Sequence, residues 1–254
     1  MKTKGYFYLL KKEIKEQFKN AKSIILFIVF AIFALASPIA AKYLPQILSN
    51  LSETQNMQIV LAEPTWEDAV NQYVKNLSQM VSFILILVYM GLISKEKETG
   101  TLVFILVKPI RKSDFILAKS TSVVFTLSLG IILSFLLSSL YIKILFGNFD
   151  IWNYLLINAL MFLYLLTLAF ITLCFSSIFR SQIAAGVMSF VVLLIMNILS
   201  GIGKIGEILP SALLGEVNTI IVGGNISLLP IFSSIAFLLL FLVISLAVFR
   251  RWEA

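Results

Sequence analysis

Six stretches of the chain contain no charged residue, and each is long enough to cross a membrane once. They are residues 23–41, 76–94, 120–142, 151–179, 181–203 and 217–249. A membrane-spanning helix uses about 20 consecutive, mostly apolar residues, and none of the stretches can hold two such helices and a turn. The pattern therefore predicts an all-α membrane protein with six transmembrane helices, and the even number places both termini on the same side.

The N-terminal segment, residues 1–22, has a pattern of its own. Its apolar residues recur every three or four positions, at Phe7, Leu10, Ile14, Phe18 and Ala21. Its lysines fall on another face, at Lys4, Lys11, Lys15, Lys19 and Lys22. This pattern predicts an amphipathic helix in the membrane interface, in contact with lipid headgroups. A plain charged anchor is the simpler alternative, and a cleaved leader ending near Ala34–Ala36 is another.

The distribution of basic residues predicts which side is cytoplasmic. Seven lysines precede the first stretch, six basic residues lie between the second and third, and Arg180, Arg250 and Arg251 lie on that same side. The opposite side has only four lysines, at Lys42, Lys75, Lys143 and Lys204. Basic residues collect in cytoplasmic loops, so we expect cytoplasmic N- and C-termini. The net charge of +7 then reports topology, and we expect no nucleic-acid partner.

The segments between the stretches complete a single domain over residues 1–254. Residues 42–75 are expected to form an extracytoplasmic loop, with a helix start at Thr65 because Glu67 and Asp68 follow it. Residues 95–114 form a cytoplasmic loop. Residues 204–229 mix glycine, proline, acids and apolar residues, which predicts a re-entrant segment of short helices before the last span.

Composition excludes several classes of function. Hydrophobic residues make up 59% of the chain and charged residues 13%, compared with about 45–50% and about 25% in soluble domains. There is no histidine and one cysteine, Cys174, so His-based catalysis, an intrachain disulfide and a Cys-rich metal cluster are excluded. The sequence predicts no catalytic, metal-binding or cofactor-binding residue.

The search for nucleotide-binding motifs likewise predicts no nucleotide site in this sequence. Gly201, Gly203 and Gly206 spell a dinucleotide fingerprint, but they follow a membrane span rather than a strand, so we reject that interpretation. No phosphate-binding loop of the form G-x-x-x-x-G-K-[ST] occurs.

The predicted spans contain hydroxyl and amide groups but no charge near their middles. A ridge of small residues follows the third span at Ser122, Thr126, Gly130, Ser134 and Ser138. We favour helix packing for this ridge, and a polar strip lining a pathway is the alternative. Asn158 and Asn197 are the strongest polar groups in the spans. Without intramembrane acids or bases, a proton-driven carrier and an intramembrane protease are both disfavoured.

The densest polar segment follows the second span. It reads Ser94-Lys95-Glu96-Lys97-Glu98-Thr99-Gly100-Thr101-Leu102, continues to Pro109-Ile110-Arg111-Lys112, and ends in Phe115–Lys119. Gly100 permits a sharp change of direction, Thr101 is suited to cap a short apolar helix, and Pro109 stops it. An exposed apolar helix flanked by charge is a docking surface, and burial in the lipid interface is the alternative.

This segment resembles one in the membrane subunits of type-2 ABC transporters, the exporter-like permeases. That family carries E-K-E-x-G-T-L, then P-x-x-R/K, then an apolar run and a lysine. The resemblance extends over the whole chain, from the basic amphipathic start to the re-entrant segment. It implies a multi-pass protein of the cell membrane, in a prokaryotic plasma membrane, that pairs with a second permease copy as a homodimer or related heterodimer.

The resemblance also implies an ABC ATPase subunit that binds ATP and Mg²⁺ and docks on this chain. The expected contact residues are Glu96, Glu98, Gly100, Thr101, Leu102, Phe104, Pro109, Arg111 and Arg180. In that role Glu96 and Glu98 position the loop, Leu102 and Phe104 anchor it, and Arg111 pairs with an acid of the ATPase. The alternative is a membrane scaffold or immunity-type protein that binds a partner through the same loop without transport. The sequence assigns no substrate.

Overall fold

The computed structural model describes residues 2–19, 21–53, 63–102 and 111–251, and these residues form helices and turns with no β-strand among them. Six segments in these ranges are long and apolar enough to cross a membrane. They are Ala21–Pro45, Trp66–Glu98, Lys112–Phe146, Ile151–Ile178, Gln182–Leu199 and Leu229–Arg251. The predicted all-α fold with six spans is confirmed, while the side on which the termini lie stays a prediction.

We number the helices of the described residues α1 to α11 in chain order. They are α1 (Lys2–Lys19), α2 (Ala21–Glu53), α3 (Trp66–Asn76), α4 (Ser82–Tyr89), α5 (Ser94–Glu98), α6 (Lys112–Phe146), α7 (Ile151–Ile178), α8 (Gln182–Leu199), α9 (Gly203–Ile208), α10 (Ala212–Ile221) and α11 (Leu229–Arg251). A short π-helical turn, Leu77–Val81, joins α3 to α4. The second span therefore consists of α3, this turn, α4 and α5.

Helix α7 lies at the centre of the fold. It packs against α4, α6, α8, α10 and α11, while α1 and α2 both pack on α6. In its most apolar stretch 72% of α7 is buried within the chain, compared with 11% for α11. Helix α7 therefore makes its contacts mainly with protein, and α11 presents most of its surface outward, where lipid solvates apolar side chains as well as protein does.

Helix α2 extends beyond the boundary that we predicted for the first span. We expected a loop to begin at residue 42, but the helix continues through Pro38 and Pro45 to Glu53. A proline removes one backbone hydrogen bond, and neighbouring groups compensate for it in transmembrane helices. Lys42 also donates to the carbonyl oxygen of Leu145 at 2.7 Å, near the C-terminal end of α6, where a cation is favourable.

Two other local predictions can be compared with the structure. The helix start at Thr65 is confirmed, since α3 begins at Trp66 and the Thr65 backbone N–H donates to the Asp68 carboxylate at 2.9 Å. The short helices before the last span are α9 and α10. The last span, α11, begins at Leu229, within the charge-free stretch 217–249, and Gly223, with a left-handed φ of 77°, follows the end of the preceding helix α10. The depth of α9 and α10 in a bilayer stays a prediction.

Candidate functional site at the charged end of the second span

The second span is interrupted near its charged end. Helix α4 ends at Tyr89 and α5 begins at Ser94, with a tight turn between them. The backbone N–H groups of Ile93 and Ser94 leave the helical pattern and donate instead to Oγ of Ser176 on α7, at 2.9 and 3.0 Å. Because buried N–H groups require an acceptor, this one hydroxyl makes the interruption possible.

The segment after the interruption forms hydrogen bonds with residues at the junction of α7 and α8. Lys97 donates to the carbonyl oxygen of Ser177, and its side chain is buried. Glu98 accepts a hydrogen bond from Nε2 of Gln182, the first residue of α8, at 3.0 Å. Gln182 also approaches Gly91 so closely that a Cβ there would lie 2.5 Å from its Oε1. The end of the second span and the start of α8 are therefore in direct contact.

A buried ion triad joins the same segment to α1 and α6. Nζ of Lys119 lies 3.0 Å from Oε2 of Glu13 and 3.0 Å from Oε1 of Glu96. The Lys119 and Glu13 side chains are only 3% and 4% exposed. Nζ also lies 5.0 Å from the centre of the Phe115 ring, where the ring face attracts a cation. Such a cluster adds modest net stability, but removal of one member leaves a buried charge unpaired.

Helix α1 brings Glu13 to the triad through an inward face that recurs every fourth residue. Leu9, Glu13 and Gln17 are all buried. Nε2 of Gln17 donates to Oγ of Ser122 at 2.8 Å, and its Oε1 accepts from Thr126. The spacing of apolar residues had instead predicted an apolar face at Phe7, Leu10, Ile14, Phe18 and Ala21. Phe7 and Phe18 are exposed, so α1 has one face that packs against the chain and another, apolar face that is exposed.

The structure brings some of the predicted contact residues together and separates others. Glu96 lies in the triad, and Glu98 lies beside Gln182. Gly100 adopts a left-handed φ of 71°, which turns the chain, and Thr101 is exposed. Leu102 is fully buried within this chain, which differs from its expected role as an anchor in another subunit.

Two more of the predicted contact residues are exposed at the ends of helices. Arg111 is the exposed residue before α6, and Arg180 is exposed in the turn between α7 and α8. Phe104 and Pro109 lie outside the described residues.

The small-residue ridge of α6 faces other helices of the chain. Ser122, Thr126, Gly130, Ser134 and Ser138 are all buried. Ser122 and Thr126 make the two contacts with Gln17 described above. Gly130 lies against the Phe30 ring, Ser134 shares a hydrogen bond with Tyr73 at 2.9 Å, and Ser138 shares one with Tyr154.

The two predicted span asparagines differ in their surroundings. Oδ1 of Asn158 accepts a hydrogen bond from the Tyr73 hydroxyl at 2.7 Å, and the Asn158 side chain is buried. Asn197 is exposed. Asn158 is therefore part of the packed interior of the chain, whereas Asn197 is not.

Sequence reasoning missed three residues that hold this site together: Glu13, Gln17 and Ser176. The signal for the first two was present, since Leu9, Glu13 and Gln17 share one helical face. For Ser176 no local signal exists, because its role depends on a helix interruption more than 80 residues earlier.

Three carboxylates of the site are close enough for one cation to contact them all. One oxygen from each of Glu13, Glu16 and Glu96 lies within 4.8 Å of the others. The Lys119 ammonium already lies against two of these residues, so the cluster has a cation of its own.

The chain matches one protein-family model but no individual curated protein. A family model described as an ABC-2 family transporter protein matches residues 7–242. No individual curated protein matches the chain.

Proposed function

Because the chain belongs to the ABC-2 family of transporter proteins and spans the membrane several times, we propose that it is the permease subunit of an ATP-driven exporter. In this proposal it pairs with a second copy or a related chain. A separate ATPase subunit docks on its cytoplasmic face and binds the ATP and Mg²⁺.

One observation supports this proposal most directly: hydrogen bonds and ion pairs connect the polar segment 93–102 to four different helices. It contacts α6 through Lys119 and, through the same lysine, Glu13 on α1. It contacts α7 through Ser176 and α8 through Gln182. A subunit that pushes on this segment would therefore act on α1, α6, α7 and α8 together. Coupling between sites depends on such contiguous polar and packed networks.

The exposed residues of the site supply the docking surface in this proposal. Glu98, Thr101 and Arg180 all reach the surface, and the Glu98–Gln182 hydrogen bond joins the two segments that carry them. The ATPase contacts both segments. Closure of the ATPase then moves the end of the second span and the start of α8 as one unit.

The first experiment is a pull-down of the tagged chain in mild detergent, followed by mass spectrometry and an ATPase assay. We expect a subunit with a phosphate-binding loop to co-purify and to turn over ATP. Recovery of the chain without an ATPase, in a detergent that preserves other ABC complexes, would overturn the proposal. It would favour the scaffold interpretation instead.

Variants of the docking segment make the test specific. We expect Gln182→Ala to leave co-purification intact and to change ATP turnover by roughly 2- to 30-fold, the range of coupling energies seen in such networks. Glu207→Gln, at an exposed position on α9, is the matched control and should leave turnover unchanged. Equal turnover in both variants would argue against a coupling role for the Glu98–Gln182 contact.

A further inference from the structure

The N-terminal end of α6 and the C-terminal end of α11 are in direct contact. Nζ of Lys112 donates to the carbonyl oxygen of Arg250 at 3.3 Å, and Nε of Arg250 donates to Oγ of Ser113 at 3.3 Å. Beside these contacts the rings of Phe115 and Phe249 stack with their centres 5.1 Å apart, and both rings are buried. The first residues of one span and the last residues of another are therefore held side by side.

This contact brings together three of the four arginines of the chain, Arg111, Arg250 and Arg251, which we call the basic patch. All three side chains are exposed. Within the described part of the chain, no carboxylate forms an ion pair with any of them, although Asp114 follows Arg111 by only three residues. Lys112 is already engaged within the chain, so the patch offers its guanidinium groups.

Helix dipoles explain only part of this arrangement. A cation is favourable at the C-terminal end of a helix and unfavourable at the N-terminal end. Arg250 and Arg251 end α11, whereas Arg111 directly precedes α6. Like charges placed close together also repel one another. An anion beside the patch would offset both costs.

A phosphodiester is an anion that suits an arginine patch. The planar guanidinium group donates two parallel hydrogen bonds to phosphate oxygens, and it is less strongly hydrated than the ammonium group of a lysine. Basic clusters at the cytoplasmic ends of membrane helices bind the headgroups of anionic lipids. The distribution of basic residues predicts that this end of α6 and α11 is cytoplasmic.

The outer surface of α11 provides a place for the acyl chains of such a lipid. Val243 and Leu239 precede Arg250 by seven and eleven residues, so the three lie on one face of this continuous helix. Val243 is 60% exposed and Leu239 is 52% exposed. Leu239 lies about 16 Å along the helix from Arg250, close to half of the hydrocarbon thickness of about 30 Å. A lipid whose chains follow this face would have its phosphate at the level of the patch.

We infer that the basic patch binds an anionic phospholipid whose headgroup carries no cation, as in phosphatidylglycerol. The guanidinium groups donate to its phosphate, and its acyl chains follow Val243 and Leu239. An ammonium-bearing headgroup would add another cation beside the arginines. This site goes beyond the proposed transport function and does not depend on it.

The test is native mass spectrometry of the purified chain after exchange into detergent with one lipid at a time. Phosphatidylglycerol should be retained roughly tenfold more than phosphatidylethanolamine or phosphatidylcholine, whose headgroups carry a compensating cation. Equal retention of the three lipids would overturn the inference. Soluble glycerol phosphate at the same concentration should not displace the lipid. If it does, the patch binds a free phosphate and the inference fails.

Matched double variants locate the lipid. Arg250→Gln with Arg251→Gln should lower retention of phosphatidylglycerol to that of phosphatidylethanolamine. Lys75→Gln with Lys143→Gln removes the same charge at two exposed positions elsewhere and should retain phosphatidylglycerol as the parent protein does. If the two double variants retain equal amounts, the lipid binds elsewhere and the inference fails.

A single variant and a second readout complete the test. Arg251→Gln alone leaves the contact between Arg250 and Ser113 intact and should lower retention part of the way, so the result does not depend on that contact. If the arginine variants lose a co-purifying ATPase subunit but keep phosphatidylglycerol, the patch is a protein contact, and this too would overturn the inference.

Discussion

Replacement of Lys119 by methionine should destabilise this protein more than any other single change at its charged face. The substitution keeps most of the side-chain volume but leaves Glu13 and Glu96 buried without their shared cation. Their carboxylates have oxygens within 4.8 Å of each other. At that separation two like charges repel by about 3.5 kcal/mol at an effective dielectric constant of about 20. This agrees with the 3–5 kcal/mol that breaking a buried ion pair costs.

The chain contains its own reporter for this prediction. Cys174 is its only cysteine and is buried on α7, so a thiol-reactive fluorophore reports the exposure of the core during heating in detergent. A loss of about 3–5 kcal/mol corresponds to a decrease in Tm of roughly 6–20 °C for a chain of this size. Lys143→Met, at an exposed position on the same helix, should melt close to the parent protein.

A second variant separates the loss of charge balance from the loss of a particular contact. If Glu13→Gln and Glu96→Gln are added to Lys119→Met, the triad no longer contains a buried charge, and most of the lost stability should return. Should Lys119→Met alone melt with the parent protein, the triad would not be buried as described and the reasoning would be refuted.

Two further predictions concern contacts between spans and use the same thiol assay. Ser176→Ala should lower the free energy of unfolding by about 1–3 kcal/mol for each of the two buried N–H groups left without an acceptor. Ser177→Ala, which removes only a hydroxyl bonded within its own helix, should have little effect. Equal losses in the two variants would contradict the role of Ser176 as the acceptor at the interruption. Gly130→Ala places a Cβ 2.7 Å from the buried Phe30 ring and should cost about 1–3 kcal/mol, whereas Gly215→Ala meets open space and should be neutral or stabilising; similar melting of the two would refute the close packing at Gly130.

The sequence predicted the spans well because each of them is a local property. An apolar run of sufficient length specifies a membrane helix regardless of its neighbours. The Thr65 start was equally local, since the cap and its acid are three residues apart. The end of α2 was not predictable in the same way. Lysine and proline suggested a boundary, but Lys42 is accommodated by a carbonyl group of α6.

The site was predicted only in part because its organisation depends on distant residues. The motif identified Glu96 and Lys119 as members of one polar segment, but not that they form a pair. The third member, Glu13, is 106 residues from Lys119 along the chain. Leu102 illustrates the opposite case. The family resemblance implied that Leu102 contacts another subunit, whereas the structure buries it in the chain's own core.

The order in which these contacts become available on the ribosome also follows from their positions. When Lys119 has been synthesised, Glu13 and Glu96 are already present, so all three members of the ion triad are then available. The Tyr73 hydroxyl must wait for Asn158, which follows 85 residues later. At about 5–20 residues per second this delay is roughly 4–17 s. All members of the charged cluster are therefore synthesised before α7 supplies the partners for the polar contacts in the centre of the bundle.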